Sequence, residues 1–320
     1  MVSVDGHSWS NSAYATDYNE KMWPANYGGH SQETRAAAYA PSAGHLWDVA
    51  GQHGLTYRSY GEYAARSSDG TAMEAVPSAG GLLGHVSPKF KMPGMRDTDK
   101  LREFLREFDE FETNYDSTDL SKRLPNFSVM SLPEDHTAGT RPGSFTPQAM
   151  VANADFAVGT LVERVTKSKY WPNTAIFIIE DDAQDGPDHV DARRTVGLVI
   201  SPYTKRGFVD STLYTTSSML RTMELLLGLP PMTQYDDAAP LMYNSIRTTV
   251  DATGYTAIAP LIDVNTKNTK SAYGARRSAR MDFTDVDLAP MYELNEILWR
   301  SIRGPHSAMP PPVHRFWFSE

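Results

Sequence analysis

The chain reads as an α/β protein with a mostly parallel sheet covered by helices on both faces. Three observations predict this. Short apolar runs rich in β-branched and aromatic residues occur at residues 126–132, 174–179 and 196–200, as in strands. Amphipathic stretches at residues 99–114 and from Pro147 onward alternate with them. The resulting order of strand, helix, strand, strand and helix suits a sheet packed on two sides.

Each element has a local reason. Residues 1–45 are rich in Ser, Gly, Asn, Tyr and His and show no long periodicity, so they read as an elaborated loop region. Residues 46–54 read as a short helix closed by Gly54, followed by a strand-like Leu55-Thr56-Tyr57-Arg58-Ser59-Tyr60. Residues 66–98 hold many Gly, Ser, Pro and Met and read as a long surface excursion. The helix at 99–114 carries Leu101, Phe104, Leu105, Phe108 and Phe111 at helical spacing. The strand Asn126-Phe127-Ser128-Val129-Met130-Ser131-Leu132 ends at Pro133. Pro147 opens a helix whose apolar face is Met150, Ala154, Ala157, Val158, Leu161 and Val165. A strand at 174–179 and another at Val196-Gly197-Leu198-Val199-Ile200 follow. Ser217 or Ser218 can cap a helix running to Leu227, stopped by Gly228 and Pro230. Residues 245–285 are polar and poorly patterned, and a last helix spans 291–302 before a proline-rich tail. With no repeat and no evident linker, one domain over 1–320 is expected, with loop insertions around 24–45, 66–98 and 245–285. The aromatic end, Phe316-Trp317-Phe318, is expected to dock on the body or on a partner.

Composition narrows the function. A net charge of -9 without a basic block argues against nucleic acid as the main partner. No apolar run reaches the roughly 20 residues that a membrane span needs. The absence of cysteine excludes disulfides, thiolate metal sites and a cysteine nucleophile. Met1-Val2-Ser3-Val4-Asp5 carries neither a basic region nor an apolar stretch of the kind that opens a signal peptide.

The chemistry concentrates at strand exits. Ile176-Phe177-Ile178-Ile179 runs straight into Glu180-Asp181-Asp182, and Asp188-His189 follows a Gly186-Pro187 turn. Open α/β sheets place ligands at the carboxyl ends of their strands. Adjacent carboxylates repel one another, and a divalent cation relieves that repulsion. The earlier strand ends in Pro133-Glu134-Asp135-His136, so acids and a histidine leave both strands in the same way. If the two strands are parallel neighbours, these groups converge on one sheet edge. Histidine and carboxylates together can bind a divalent metal or hold a phosphate. Asp5-Gly6-His7-Ser8-Trp9-Ser10-Asn11 reads as a small loop offering a hydroxyl, an amide and a histidine.

Longer motifs carry a resemblance. Ile179-Glu180-Asp181-Asp182-Ala183-Gln184, Pro187-Asp188-His189-Val190-Asp191 and Thr195-Val196-Gly197-Leu198-Val199-Ile200-Ser201-Pro202-Tyr203 resemble the bacterial phosphoesterase family of acid phosphatases and phospholipases C, within the alkaline phosphatase superfamily. Asp5-Gly6-His7-Ser8-Trp9 and Gly228-Leu229-Pro230-Pro231-Met232 resemble the alkaline-phosphatase-like domains that follow a β-propeller in one chain. The resemblance implies an alkaline-phosphatase-like three-layer sandwich. It implies hydrolysis of phosphate esters, as a phosphomonoesterase or as a phosphodiesterase of phospholipase C type, through a metal-activated serine. The family's Gly-x-(Ser/Thr)-x-x-Asn pattern falls on Gly6-His7-Ser8-Trp9-Ser10-Asn11. That points to Ser8 as nucleophile and metal contact, with Asn11 and His7 as substrate contacts. The family's paired acids fall on Asp181 and Asp182 as metal ligands, with Asp135 beside them, and its histidines fall on His136 and His189. The implied cofactor is a divalent ion: Mg, Ca or Mn for oxygen ligands, Zn where histidine joins. The implied partners are a small phosphate ester or phospholipid and an upstream β-propeller, in a periplasmic or extracellular setting.

The pattern departs from the family in two places. The family's first strand, with its Glu-Asn metal pair, should precede the nucleophile loop, and only five residues precede Gly6. Arg193-Arg194 stands where the related domains often carry a histidine. The missing strand raises an alternative: a truncated or degenerate non-catalytic member that binds a metal or a partner. Sulfatase-type chemistry is a weaker third reading, since the cysteine precursor of its modified nucleophile is absent.

Overall fold

The computed structural model describes residues 3–21, 37–183, 186–284 and 288–315. The aromatic end at 316–318 and much of the expected insertion at 24–45 lie outside them. Helices and strands are mixed in one α/β arrangement containing a small parallel sheet.

Strand β1 (Tyr57–Tyr60) pairs in parallel with β4 (Phe127–Met130), with Tyr57 opposite Phe127 and Tyr60 opposite Met130. Two short strands between them, β2 (Ala64–Arg66) and β3 (Met73–Ala75), form an antiparallel hairpin. Strands β5 (Ile176–Ile179) and β6 (Gly197–Ile200) pair antiparallel, which corrects the expected parallel order. Alternating apolar composition specifies a strand but not its direction, and among the described residues the connection between these two holds no helix to carry the chain back. Among the described residues the strands form three two-stranded sheets rather than one broad sheet.

The helices follow their caps. Helix α4 (Asp97–Thr113) starts where the Asp99 carboxylate accepts the Arg96 backbone N–H, and it buries Leu101, Phe104 and Phe108 along one face. Helix α5 (Pro147–Thr166) starts at Thr146, whose hydroxyl oxygen accepts the Ala149 N–H, and packs against α4. These helices meet β1 over a core of Tyr60, Phe90, Phe104, Phe108, Ala157 and Trp171. Helix α6 (Thr216–Leu227) is capped by Thr215, two residues before the expected Ser217, and ends at Gly228 in a left-handed conformation. A second core joins α6 to α3 (Leu46–Gln52) through Leu220, Leu46, Val49 and Ala50.

Two regions differ from expectation. Residues 3–12 form helix α1 (Ser3–Ser12), not a loop, and a short helix α2 (Asp17–Lys21) follows it. Residues 66–98 are not a surface excursion: Met73, Val76, Ala79, Leu82 and Val86 form a third core around Trp47. Small residues let this segment lie close to the body, since a β-carbon at Gly81 would meet Asp48 Oδ1 at 1.7 Å. Among the described residues no helix is long and apolar enough to cross a membrane.

Candidate active site

The site is built where α1 crosses the end of β5. Gly6 makes the crossing possible, because its α-carbon lies against the Asp181 backbone. On α1, residues four apart share a face, so Ser3, His7 and Asn11 point the same way. At the first of these, Ser3 Oγ donates to Asp182 Oδ2 at 3.1 Å, with both residues buried. One turn on, His7 lies between two carboxylates, with Nδ1 2.7 Å from Glu62 and Nε2 3.6 Å from Asp181. At the third position the Asn11 amide donates to Glu62 Oε1 at 2.9 Å.

Ser8 follows His7 by one residue and so points about 100° around the helix. Its hydroxyl donates to Val4 O at 3.0 Å and lies 3.5 Å from the Tyr63 hydroxyl. It is therefore turned away from Asp181 and Asp182 and engaged with its own helix and with Tyr63.

Electrostatics follow from this layout. Desolvation opposes a charge on His7, but the Glu62 carboxylate and then Asp181 outweigh it and raise the ring to about 9. The side chain keeps 36% exposure, so the two carboxylates rather than burial decide its state. Glu62 is held below the ordinary range: burial works against its charge, and His7, Lys91 and Asn11 overcome it.

The β4 exit reaches the same place. Residues Pro133–His136 form a 3-10 turn. Glu134 turns inward, accepting Arg96 Nε at 2.6 Å and the Asp97 N–H at 3.0 Å, while its own N–H donates to Asp97 at 3.0 Å. That reciprocal clamp leaves Asp135 and His136 facing the β5 exit. The Asp135 carboxyl is raised by desolvation first, against the His136 charge, and then by Asp181 and Asp97. Glu180 is raised by desolvation and by Asp135 and Asp181. Both residues keep exposed surface, so solvent screens these effects in part.

Two features fit a divalent cation. The Asp181 Oδ2 atom is buried without a hydrogen-bond partner. The acids at the two strand exits crowd one another, which a cation would relieve. Among the described residues, however, no three His, Asp or Glu side chains are gathered as a ligand shell. The donors suit a hard cation, which Asp181 and Asp182 could hold, but among the described residues they are not assembled around a common point.

His189 is not brought into this group. Its side chain is 89% exposed, with Nδ1 3.9 Å from Asp188. The Asp188 carboxylate accepts the Val190 and Asp191 N–H groups and pairs with Arg194 at 2.8 Å, so the turn is closed without the imidazole. Arg193 pairs with Asp191 at 2.9 Å, which gives both arginines a structural place. An open groove of about 2060 Å³ lies between α5 and β6, lined by Val158, Val162, Leu198, Val199 and Phe208 among others. None of the expected catalytic, substrate or metal residues lines it.

Ser3 carries no signal as a site residue in the sequence, while Glu62 lies with Tyr57, Arg58 and Tyr60 on a strand-like segment that can shape a pocket or simply pack at an edge. Ser3 lies four residues before His7, a helical spacing that becomes informative once residues 3–12 are known to be a helix. The partners of Glu62 lie far from it in the chain, so its pairing with His7 and Asn11 has no local signal. The phosphoesterase family model matches residues 26–230, which include Glu62, Asp135, His136, Asp181, Asp182 and His189. No curated protein matches the chain.

Proposed function

The chain belongs to the phosphoesterase family, and on that premise we propose that it hydrolyses phosphate esters at the α1–β5 crossing, with a divalent metal and a serine phospho-enzyme intermediate. The observation that carries this reading is the buried Ser3 hydroxyl on Asp182, one helical turn from His7. We favour Ser3 over Ser8 as the nucleophile, because Ser8 donates into its own helix.

The chemistry uses groups already in place. A cation held by Asp181 and Asp182 would lower the hydroxyl pKa and offset the phosphate charge. Ser3 Oγ attacks phosphorus, the bond to the leaving oxygen breaks, and the Ser3 proton passes toward Asp182. His136 would protonate the leaving oxygen. His7, held charged by Glu62, faces the transferred phosphoryl oxygens. Water then attacks the phosphoserine, releasing phosphate and restoring the hydroxyl.

The substrate class is a small phosphomonoester or diester, the latter including phospholipids. The same reading extends to a three-layer sandwich within one domain, an exported protein, and a β-propeller upstream in a longer chain; all rest on the family resemblance. A second reading, a non-catalytic member that binds a metal or a partner, is favoured by the lack of an assembled ligand shell among the described residues.

The test is turnover of p-nitrophenyl phosphate and bis-p-nitrophenyl phosphate across Mg, Ca, Mn and Zn, in the unaltered protein and in Ser3→Ala, Ser8→Ala and Asp181→Ala. Metal-dependent turnover lost in Ser3→Ala and Asp181→Ala supports the enzyme. A folded protein inactive with every metal supports the second reading.

A further inference from the structure

Glu62 is a buried acid whose carboxylate engages two residues of a single helix face. It accepts from the Asn11 amide at 2.9 Å and lies 2.7 Å from His7 Nδ1. Because the two ring nitrogens of imidazole point in different directions, engaging Nδ1 decides where Nε2 points. Here Nε2 is directed at Asp181, 3.6 Å away.

The backbone that carries Glu62 is built to hold it still. Gly61 and Tyr63, on either side, have φ of 84° and 47°, and a bulky residue such as tyrosine adopts the second only when its surroundings impose it. The Ser59 hydroxyl donates to Glu62 O at 2.5 Å, and the Val76 N–H donates to Tyr63 O at 2.9 Å. A β-carbon at Gly61 would meet Phe90 and Lys91 at 3.0 to 3.2 Å, so the turn sits closely on its floor. Backbone strain beside a buried acid that grips two polar side chains is a pattern of positioned sites, and carboxylates commonly set the orientation of a working histidine in this way.

We propose that Glu62 is the positioning residue of the site: by taking His7 Nδ1 and the Asn11 amide it locks α1 in rotation and aims His7 Nε2 at the phosphoryl group beside Asp181. This rests on the phosphoesterase reading for the identity of the ligand. Glu62 itself touches no substrate. Its counterpart in other sites is the outer carboxylate behind a ligand-binding histidine.

The test compares the unaltered protein with Glu62→Gln, which keeps the size and one acceptor oxygen, and with Glu62→Asp. Ring-nitrogen NMR of His7, assigned by its loss in His7→Asn, is recorded with and without inorganic phosphate, beside ester turnover. The expected result is a fixed His7 ring whose Nε2 signal moves on adding phosphate. In Glu62→Gln the ring signals should shift toward those of a freely turning histidine, and phosphate affinity should fall about tenfold or more. KM should rise more than kcat falls, and Glu62→Asp should show no gain over Glu62→Gln, because the shorter arm cannot reach both partners. If Glu62→Gln lowers only the melting temperature, with His7 signals and phosphate affinity unchanged, the residue is structural and the proposal is overturned. If phosphate moves His7 but no ester is turned over, the phosphoesterase reading fails while the positioning role stands. If phosphate leaves His7 unmoved in the unaltered protein, the positioning role fails whatever the turnover.

Discussion

Gly6 lies directly on the backbone of Asp181: a β-carbon at residue 6 would stand 1.9 Å from the Asp181 carbonyl oxygen and 2.4 Å from its carbon. The neighbour is backbone at the end of a strand, so it cannot yield as a side-chain tip would. The contact holds the α1 face bearing Ser3 and His7 against the acids of the β5 exit.

Gly6→Ala should therefore do more than remove a flexible residue. Overpacking of this kind costs about 1–3 kcal/mol or more. Here it should also push Ser3 away from Asp182. Chemical denaturation should show the lost stability, and ester turnover should fall further than stability alone explains. An alanine variant with unaltered turnover would show that the crossing is not required.

Ser3→Ala and Ser8→Ala separate two hydroxyls five positions apart. Removing a nucleophile should lower kcat/KM about 10³-fold or more. Ser3→Ala is expected to do this at a stability cost of about 1–3 kcal/mol, since it removes a buried hydrogen bond to Asp182. Ser8→Ala removes a hydroxyl bonded to Val4 O and should cost about 1 kcal/mol or less, with turnover retained. Paired kinetics and thermal melts check both, and the reverse ranking would move the nucleophile to Ser8.

Arg96→Ala tests the support of the β4 exit. Arg96 pairs with the buried Glu134, which clamps Asp97 through two backbone bonds. Removing the arginine leaves a buried carboxylate uncompensated, at a cost of about 3–5 kcal/mol. Denaturant titration should show that loss. Turnover measured at a temperature where the variant stays folded should also fall, since the turn carrying Asp135 and His136 loses its anchor.

Glu224 sets a pH dependence away from the site. It is fully buried on α6, where Oε1 lacks a well-formed hydrogen bond and faces Asp236, and Oε2 accepts Arg221 at 3.1 Å. Burial and the Asp236 carboxylate raise it from 4.5 to about 8, against Arg221. A carboxyl raised on folding gives stability that is complete below its unfolded value. That stability declines as pH rises from about 4.5 to about 8 and is flat beyond. Asp236, held low against burial by the Glu224 carboxyl and then by the Met232 and Thr233 donors, acts in the opposite sense, losing its contribution as pH falls below its ordinary value. Glu224→Gln should remove the decline between pH 4.5 and 8 and melt higher than the unaltered protein at alkaline pH. Melting temperatures across that range check it, and an identical slope in the variant would contradict it.

How much of this was legible in the sequence depended on whether the cause was local. Leu101, Phe104 and Phe108 repeat at helical spacing, so α4 could be placed from its own residues, as could α5 behind Pro147. The Ile176–Ile179 run ending in Glu180-Asp181-Asp182 marked the strand exit for the same reason. Helix α1 was hidden because Ser-Val-Asp-Gly-His-Ser-Trp-Ser-Asn-Ser has no apolar stripe, and its helix is held by Asp182, Glu62 and the Asp181 backbone. The antiparallel pairing of β5 and β6 was hidden because an apolar run has no direction. That His189 stands apart from the other site candidates was not legible, because the neighbouring Asp188 closes its own turn with backbone donors and Arg194.

The central claim is that a serine on the α1 face attacks phosphorus beside Asp181 and Asp182. Its most direct test is an acid quench during turnover of a phosphate ester with the activating metal, followed by peptide mass spectrometry. The account predicts a phosphoryl group on Ser3, absent in Ser3→Ala and retained in Ser8→Ala. Turnover with the phosphoryl group on another residue, or with none trapped under any quench while Ser3→Ala stays active, would contradict it.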